Sequence, residues 1–199
     1  NESSCINDTI VNLTLTAVNI FAGSTSNSMC AVFNDGTAQC WGDNSYGKLG
    51  DGTTTNRSSP VKVVGLSNVV KITSGASHSC ALLDDDSVKC WGLNSSGQLG
   101  NNSTTNSTSP VSVPGSYNDI AVGSNHTCGI KTTGIVNCWG ASSDGSYKIG
   151  RFAFEETANG THSSRNTPAP IYLTNSFVSI SASTFNTCGI TNIGDTFCW

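Results

Sequence analysis

Nine cysteines and three histidines are the side chains of this 199-residue chain best suited to chemistry. Together they could ligate zinc or perform nucleophilic catalysis, and the cysteines alone could form disulfides. Spacing separates these uses. Eight cysteines fall into four pairs, Cys30 with Cys40, Cys80 with Cys90, Cys128 with Cys138 and Cys188 with Cys198, and a tryptophan follows each second member: Trp41, Trp91, Trp139 and Trp199. No Cys-x-x-Cys occurs, and His78, His126 and His162 do not complete a zinc-ligand spacing with the cysteines. His78 and His126 share one position, two residues before a cysteine, which reads as a structural hydrogen bond rather than an acid–base role. The Asp84-Asp85-Asp86 run sits on a tight hairpin, where three carboxylates cannot all turn to one calcium ion. Gly-x-Ser-x-Gly and His-Glu-x-x-His are absent, and Gly50-Asp51-Gly52 lies in a turn-rich loop rather than between a strand and a helix. No catalytic residue, metal or cofactor is expected, and the chain is not read as an enzyme.

The paired cysteines fit antiparallel hairpins. Each pair is ten residues apart, so a three-residue loop places the two thiols opposite each other, within reach of a disulfide. The loops are Asn34-Asp35-Gly36, Asp84-Asp85-Asp86, Thr132-Thr133-Gly134 and Asn192-Ile193-Gly194. Their third residue needs a left-handed backbone in a type I turn with a bulge, which glycine supplies freely and aspartate tolerates. Four bridges imply an oxidising compartment, hence an extracellular or cell-surface location. Cys5 is left over, as a free thiol, a link to another region or an intermolecular bridge.

These hairpins belong to a repeat. The tryptophans recur at 50, 48 and 60 residues, a period typical of stacked supersecondary units. Short apolar-alternating runs between Gly, Ser, Asp and Pro turns read as four strands per unit; in the second these are Val61 to Val64, Val69 to Thr73, Ser79 to Leu83 and Ser87 to Trp91. The divisions are an N-terminal segment at 1–11, repeat 1 at 12–59, repeat 2 at 60–109, repeat 3 at 110–169 and an incomplete repeat 4 at 170–199. Repeat 3 holds a long polar insertion, Arg151 to Asn166, with Phe152 and Phe154. The four tryptophans are assigned to the core of their units.

Only 11% of residues are charged and the net charge is −4, a poor balance for a nucleic-acid partner. No apolar run approaches the roughly 20 residues of a membrane helix, so this segment is not expected to insert. Ten Asn-x-Ser/Thr sequons are present. The glycan candidates are Asn7, Asn12, Asn56, Asn94, Asn101, Asn102, Asn106, Asn125 and Asn159, several in segments between Trp-Gly and the next proline, where loops are exposed.

Several motifs resemble the regulator of chromosome condensation repeat: His78-Ser79-Cys80-Ala81-Leu82, Val88-Lys89-Cys90-Trp91-Gly92, Asn94-Ser95-Ser96-Gly97-Gln98-Leu99-Gly100 and Pro110-Val111-Ser112-Val113. Unit one keeps Asn44-Ser45-Tyr46-Gly47-Lys48-Leu49-Gly50 and Pro60-Val61-Lys62-Val63, unit three is looser and unit four lacks the loop. The resemblance implies an all-β fold of four-stranded antiparallel blades from a β-propeller, which in that family usually has seven. Four units would then be part of a larger propeller or assembly. The founding member is a nuclear, chromatin-bound exchange factor, and disulfides with an acidic balance argue against that role here. Other members serve as a plant ultraviolet receptor, as secreted β-lactamase inhibitors and as extracellular parts of receptor kinases.

Fold alone does not assign function. The reading that the residues favour is a non-enzymatic, disulfide-stapled structural glycoprotein that self-assembles into a surface layer or fibril through open blade edges, with Cys5 available for contact. The alternative is a ligand-binding receptor ectodomain or secreted protein inhibitor that uses loops of one propeller face. The partners expected are further copies or another extracellular protein, with N-linked glycans.

Overall fold

The computed structural model describes residues 14–22, 27–141, 164–171 and 173–199. Among these the chain is almost wholly β, with one 3-10 turn at Ser45–Gly47. The first sheet comprises β1 (Ala17–Ala22), β2 (Ser28–Phe33), β3 (Ala38–Gly42) and β4 (Arg57–Lys62). The second comprises β5 (Val69–Ser74), β6 (His78–Leu83), β7 (Val88–Gly92) and β8 (Ser107–Val113). The third comprises β9 (Tyr117–Val122), β10 (His126–Lys131), β11 (Val136–Gly140) and β12 (Arg165–Pro170), and the fourth β13 (Phe177–Ala182), β14 (Thr187–Thr191) and β15 (Thr196–Cys198). Within each sheet every strand pairs antiparallel with its neighbours in sequence.

Two expectations need correction. The proline-led strand does not open a unit: β4, carrying Pro60, pairs with β3, and β8 and β12 likewise close the sheets before them. The repeat boundaries therefore shift by one strand. Proline has no amide hydrogen for a central ladder, so an outer edge suits it, but sequence does not say which sheet that edge belongs to. The fourth sheet also has three strands rather than four among the described residues. Cys5, Asn7, Asn12, Phe152, Phe154, Asn159 and His162 lie outside the described residues.

The hairpins form as their spacing requires. Cys30 opposes Cys40, Cys80 opposes Cys90, Cys128 opposes Cys138 and Cys188 opposes Cys198 in the strand registers, and each pair is bridged. Closing so short a loop stabilises each hairpin by roughly 2.5–3 kcal/mol in the chain-entropy account. The third loop residues are left-handed, with φ of 74° at Gly36, 64° at Asp86, 83° at Gly134 and 91° at Gly194. Asp35 and Asp85 cap their turns by accepting from Thr37 and Ser87 through both backbone and hydroxyl, which holds both carboxyls below the usual range.

The sheets stack face to face through three apolar seams. One face of a sheet presents its disulfide and a branched residue, such as Cys30–Cys40 with Val32, to the tryptophan-bearing face of the next, such as Ile72 and Trp91. The same arrangement recurs with Trp139 and with Trp199. Size is balanced inside each tryptophan-bearing face. Where the first strand starts with Val69, the adjacent strand has Ala81; where it starts with Tyr117 or Phe177, glycine takes that place, and a Cβ on Gly129 or Gly189 would stand 2.7 Å from the ring. Close packing leaves no room for a large residue at both positions. The first strands of successive sheets adjoin one another, while β4, β8 and β12 lie at the opposite edges.

Candidate functional site

Three polar devices hold the seams, and they use most of the residues capable of chemistry. The first is a clamp loop. After β3 the motif Asn44 to Gly50 folds over the second sheet, and Asn94 to Gly100 repeats this over the third. Asn44 and Asn94 are buried. The Asn94 Nδ2 donates to Asn101 Oδ1 at 3.2 Å and to the carbonyls of Ser103 and Thr105, each at 3.0 Å, while its Oδ1 accepts from Leu99 N at 2.9 Å. Asn44 does the same with Asp51, Thr53, Thr55 and Leu49. Leu49 and Leu99 thereby enter the apolar seams. Gly52 N then donates to Thr108 O in β8 at 3.0 Å, and Asn102 N to Asn166 O in β12 at 2.8 Å.

Asn94 begins a sequon, and its Nδ2, the atom a sugar would take, is the nitrogen that holds the loop. Its sequon and its structural role are both written in the same three residues, and only the matching Asn44, which lacks a sequon, hints which one applies. Lys48 escaped the sequence reading entirely. It is buried, pairs with Asp43 at 2.7 Å and donates to Ala76 O at 3.0 Å in the next sheet. The bond from Lys48 holds the Asp43 carboxyl below its ordinary range.

The second device is a set of hydroxyl and imidazole contacts. His78 Nε2 lies 2.8 Å from Thr127 Oγ1, and His126 Nε2 lies 2.9 Å from Thr187 Oγ1, each pair spanning a seam. Thr127 Oγ1 donates onward to Gln98 O, and at the preceding seam Ser79 Oγ and Trp91 Nε1 both donate to Lys48 O. Both histidines are buried. Asp119 supplies the third device: its carboxylate accepts from Lys71 Nζ at 2.6 Å and from Ile180 N at 3.1 Å, tying β5, β9 and β13 together. Among the described residues no group of three His, Cys, Asp or Glu side chains could hold a metal ion, and no helix is long and apolar enough to cross a membrane.

Among the described residues, two outer sheet faces have no further sheet packed on them. By register Ile20 occupies the place of Ile72, Ile120 and Ile180. Ile20 is 62% exposed, whereas the other three are at most 4% exposed. Met29 stands beside it in the place of Ser79, Thr127 and Thr187, and is 38% exposed. Trp41 is correspondingly half-buried, so the core assignment holds for Trp91, Trp139 and Trp199 but not fully for Trp41. On the opposite end Ile190 takes the place of Val32, Leu82 and Ile130 and is 44% exposed, and Cys198 is exposed as well. Each end is thus one half of an interface that the chain builds three times internally.

Comparison with known proteins agrees with this architecture. The chain resembles Prp20p from Saccharomyces cerevisiae, with 20% identity and a TM-score of 0.75 over 93% of this chain and 45% of that one. Human WBSCR16 gives 16% identity and 0.76 over 93% and 47%, and the ectodomain of the Physcomitrella patens receptor kinase CR4 gives 22% and 0.57 over 93% and 40%. At such identities the likeness is one of fold, and the chain spans less than half the length of each. The profile described as the regulator of chromosome condensation (RCC1) repeat matches residues 35–82 and 85–130, and a second of that description matches 18–48, 69–98 and 118–146. With four stacked antiparallel sheets, clamp loops at the matched motifs and matches reaching from residue 18 to residue 146, this chain belongs to the RCC1 repeat family of β-propeller proteins.

Proposed function

We propose that the chain is a non-enzymatic, extracellular structural protein that assembles with further copies by stacking blade on blade through its two end faces. The carrying observation is that Ile20 and Ile190 are exposed at positions whose counterparts are buried in every internal seam. A bare face of this kind invites association, and the blade it fits is one of the same kind. The bridges Cys30–Cys40, Cys80–Cys90, Cys128–Cys138 and Cys188–Cys198 favour an oxidising environment. His78 and His126, the groups best suited to proton transfer, are committed to threonines inside seams, which favours a scaffold over an enzyme.

Sedimentation velocity of the full-length protein over a wide concentration range tests this. The expected result is a mass that rises with concentration through multiples of the monomer. A compact monomer at every concentration would overturn self-assembly and favour the ligand-binding reading, in which loops of one propeller face contact a partner.

A further inference from the structure

We propose that Asn56 and Asn106 carry N-linked glycans that shield the outer edges of the first two blades, and that Asn94 carries none despite its sequon. The inference rests on the extracellular placement proposed above. Asn56 precedes Arg57 and Ser58, and Asn106 precedes Ser107 and Thr108, so both begin sequons. They occupy one structural position, each immediately before an outermost strand, β4 or β8. Both are exposed.

Their amides are already oriented for attachment. Asn56 Oδ1 accepts from Asn44 N at 2.8 Å, and Asn106 Oδ1 accepts from Asn94 N at 2.8 Å. The oxygen is therefore turned to the protein, and no hydrogen bond among the described residues engages either Nδ2. A sugar on that nitrogen leaves the oxygen's bond intact. The Asn94 amide faces the opposite way, with its nitrogen committed to three buried acceptors. Asn101 lends its Oδ1 to that same network, Asn102 is exposed in the clamp loop, where its backbone N donates to Asn166 O of β12, and Asn125 is exposed in the turn between β9 and β10.

The position gives the sugar a task. β4 and β8 each pair with another strand on one side only, and apart from Thr108 O, which Gly52 N engages, the other side is a template for an added strand. Each has one proline as partial protection, Pro60 or Pro110. In the third blade the equivalent position is Ser164, which begins no sequon, and its edge strand β12 carries two prolines, Pro168 and Pro170. The strand that no sequon immediately precedes has the second proline. Bulky glycans on the other two would suppress lateral pairing and leave the end faces as the route of assembly.

In the transfer itself Nδ2 attacks the anomeric carbon of an oligosaccharide carried on a lipid diphosphate. The nitrogen–carbon bond forms as the bond from that carbon to the diphosphate oxygen breaks; the nitrogen gives up one proton and the lipid diphosphate leaves with the electron pair.

The test is peptide mapping of the full chain secreted from eukaryotic cells. Treatment with a peptide N-glycosidase in oxygen-18 water turns each glycan-bearing asparagine into labelled aspartate. Label at Asn56 and Asn106 with none at Asn94 is expected. An unlabelled Asn56 or Asn106, or a labelled Asn94 in folded material, overturns the proposal. Ser58→Ala and Thr108→Ala destroy the sequons without touching the Oδ1 bonds; each is expected to lose one glycan's mass and to raise lateral aggregation, and an unchanged mass counts against the site. Thiol mapping of the same sample separates the two levels: intact hairpin bridges without sugar reject only the glycans, whereas free thiols at the eight hairpin cysteines reject the extracellular placement too.

Discussion

His78 lies between two blades with its two nitrogens in different circumstances. Thr127 spends its one hydroxyl hydrogen on Gln98 O, so the His78 Nε2 must be the donor to Thr127, and Nδ1 is the bare acceptor, with no partner. Protonating Nδ1 would bury a charge without an acceptor and beside His126. Burial first, and His126 second, push the pKa of His78 down to about 3. In the unfolded chain the ring titrates near its usual ~6.5, so between these values the unfolded state binds the extra proton. The contribution of His78 to stability is therefore complete above pH ~6.5 and is lost as the pH falls toward 3. Urea midpoints measured between pH 7 and pH 4 should fall with acidity, and His78→Gln, which keeps a donor for Thr127, should flatten that slope; an unchanged slope would reject the buried neutral ring. The structural role of this histidine was legible from its repeat position. Its partner was not, since Thr127 lies 49 residues away and only stacking brings the two together.

At the scale of elements the hairpins were the most legible part, because cysteine spacing and loop length are local and act together. The clamp loop was visible only as a motif, and its physics appears in the fold: Gly97 has φ of 82°, and a Cβ there would stand 2.4 Å from the Asn166 Cα of the next blade. Gly52 has φ of 81° and nothing within 4 Å of its hypothetical Cβ. The two glycines separate backbone strain from interblade fit. Gly52→Ala should cost only the left-handed penalty, about 1–2 kcal/mol. Gly97→Ala should cost distinctly more, because backbone rather than a side-chain tip must move, and hydrogen exchange should show β12 opening before β7. Equal losses of stability in the two variants would mean that the loop does not clamp its neighbour. The phase of the proline-led strands was illegible for a related reason: edge pairing depends on which sheet is adjacent, and no residue within the strand encodes that.

The described residues form a stack of sheets whose two outer faces repeat the inner ones. Sequence periodicity revealed the repeat and the fold class, but not which copy of a repeated apolar position stays bare, because Ile20 and Ile72 have similar neighbours in sequence and differ only in what stands opposite. That difference makes a matched pair of substitutions informative. Ile72→Glu places a carboxylate in a seam where the residue is fully buried, with no partner of opposite charge in the apolar cluster, and should unfold or severely destabilise the protein. Ile20→Glu changes the same position on the open end, where exposure should limit the loss of stability to roughly 0.5 kcal/mol. If end-to-end stacking assembles the molecule, Ile20→Glu should nevertheless abolish the concentration-dependent rise in mass seen by sedimentation, since a new charge would have to be desolvated against the apolar end of the next copy. A variant that still assembles would place the contact elsewhere. One that fails to fold would show that this face is covered by another part of the same polypeptide.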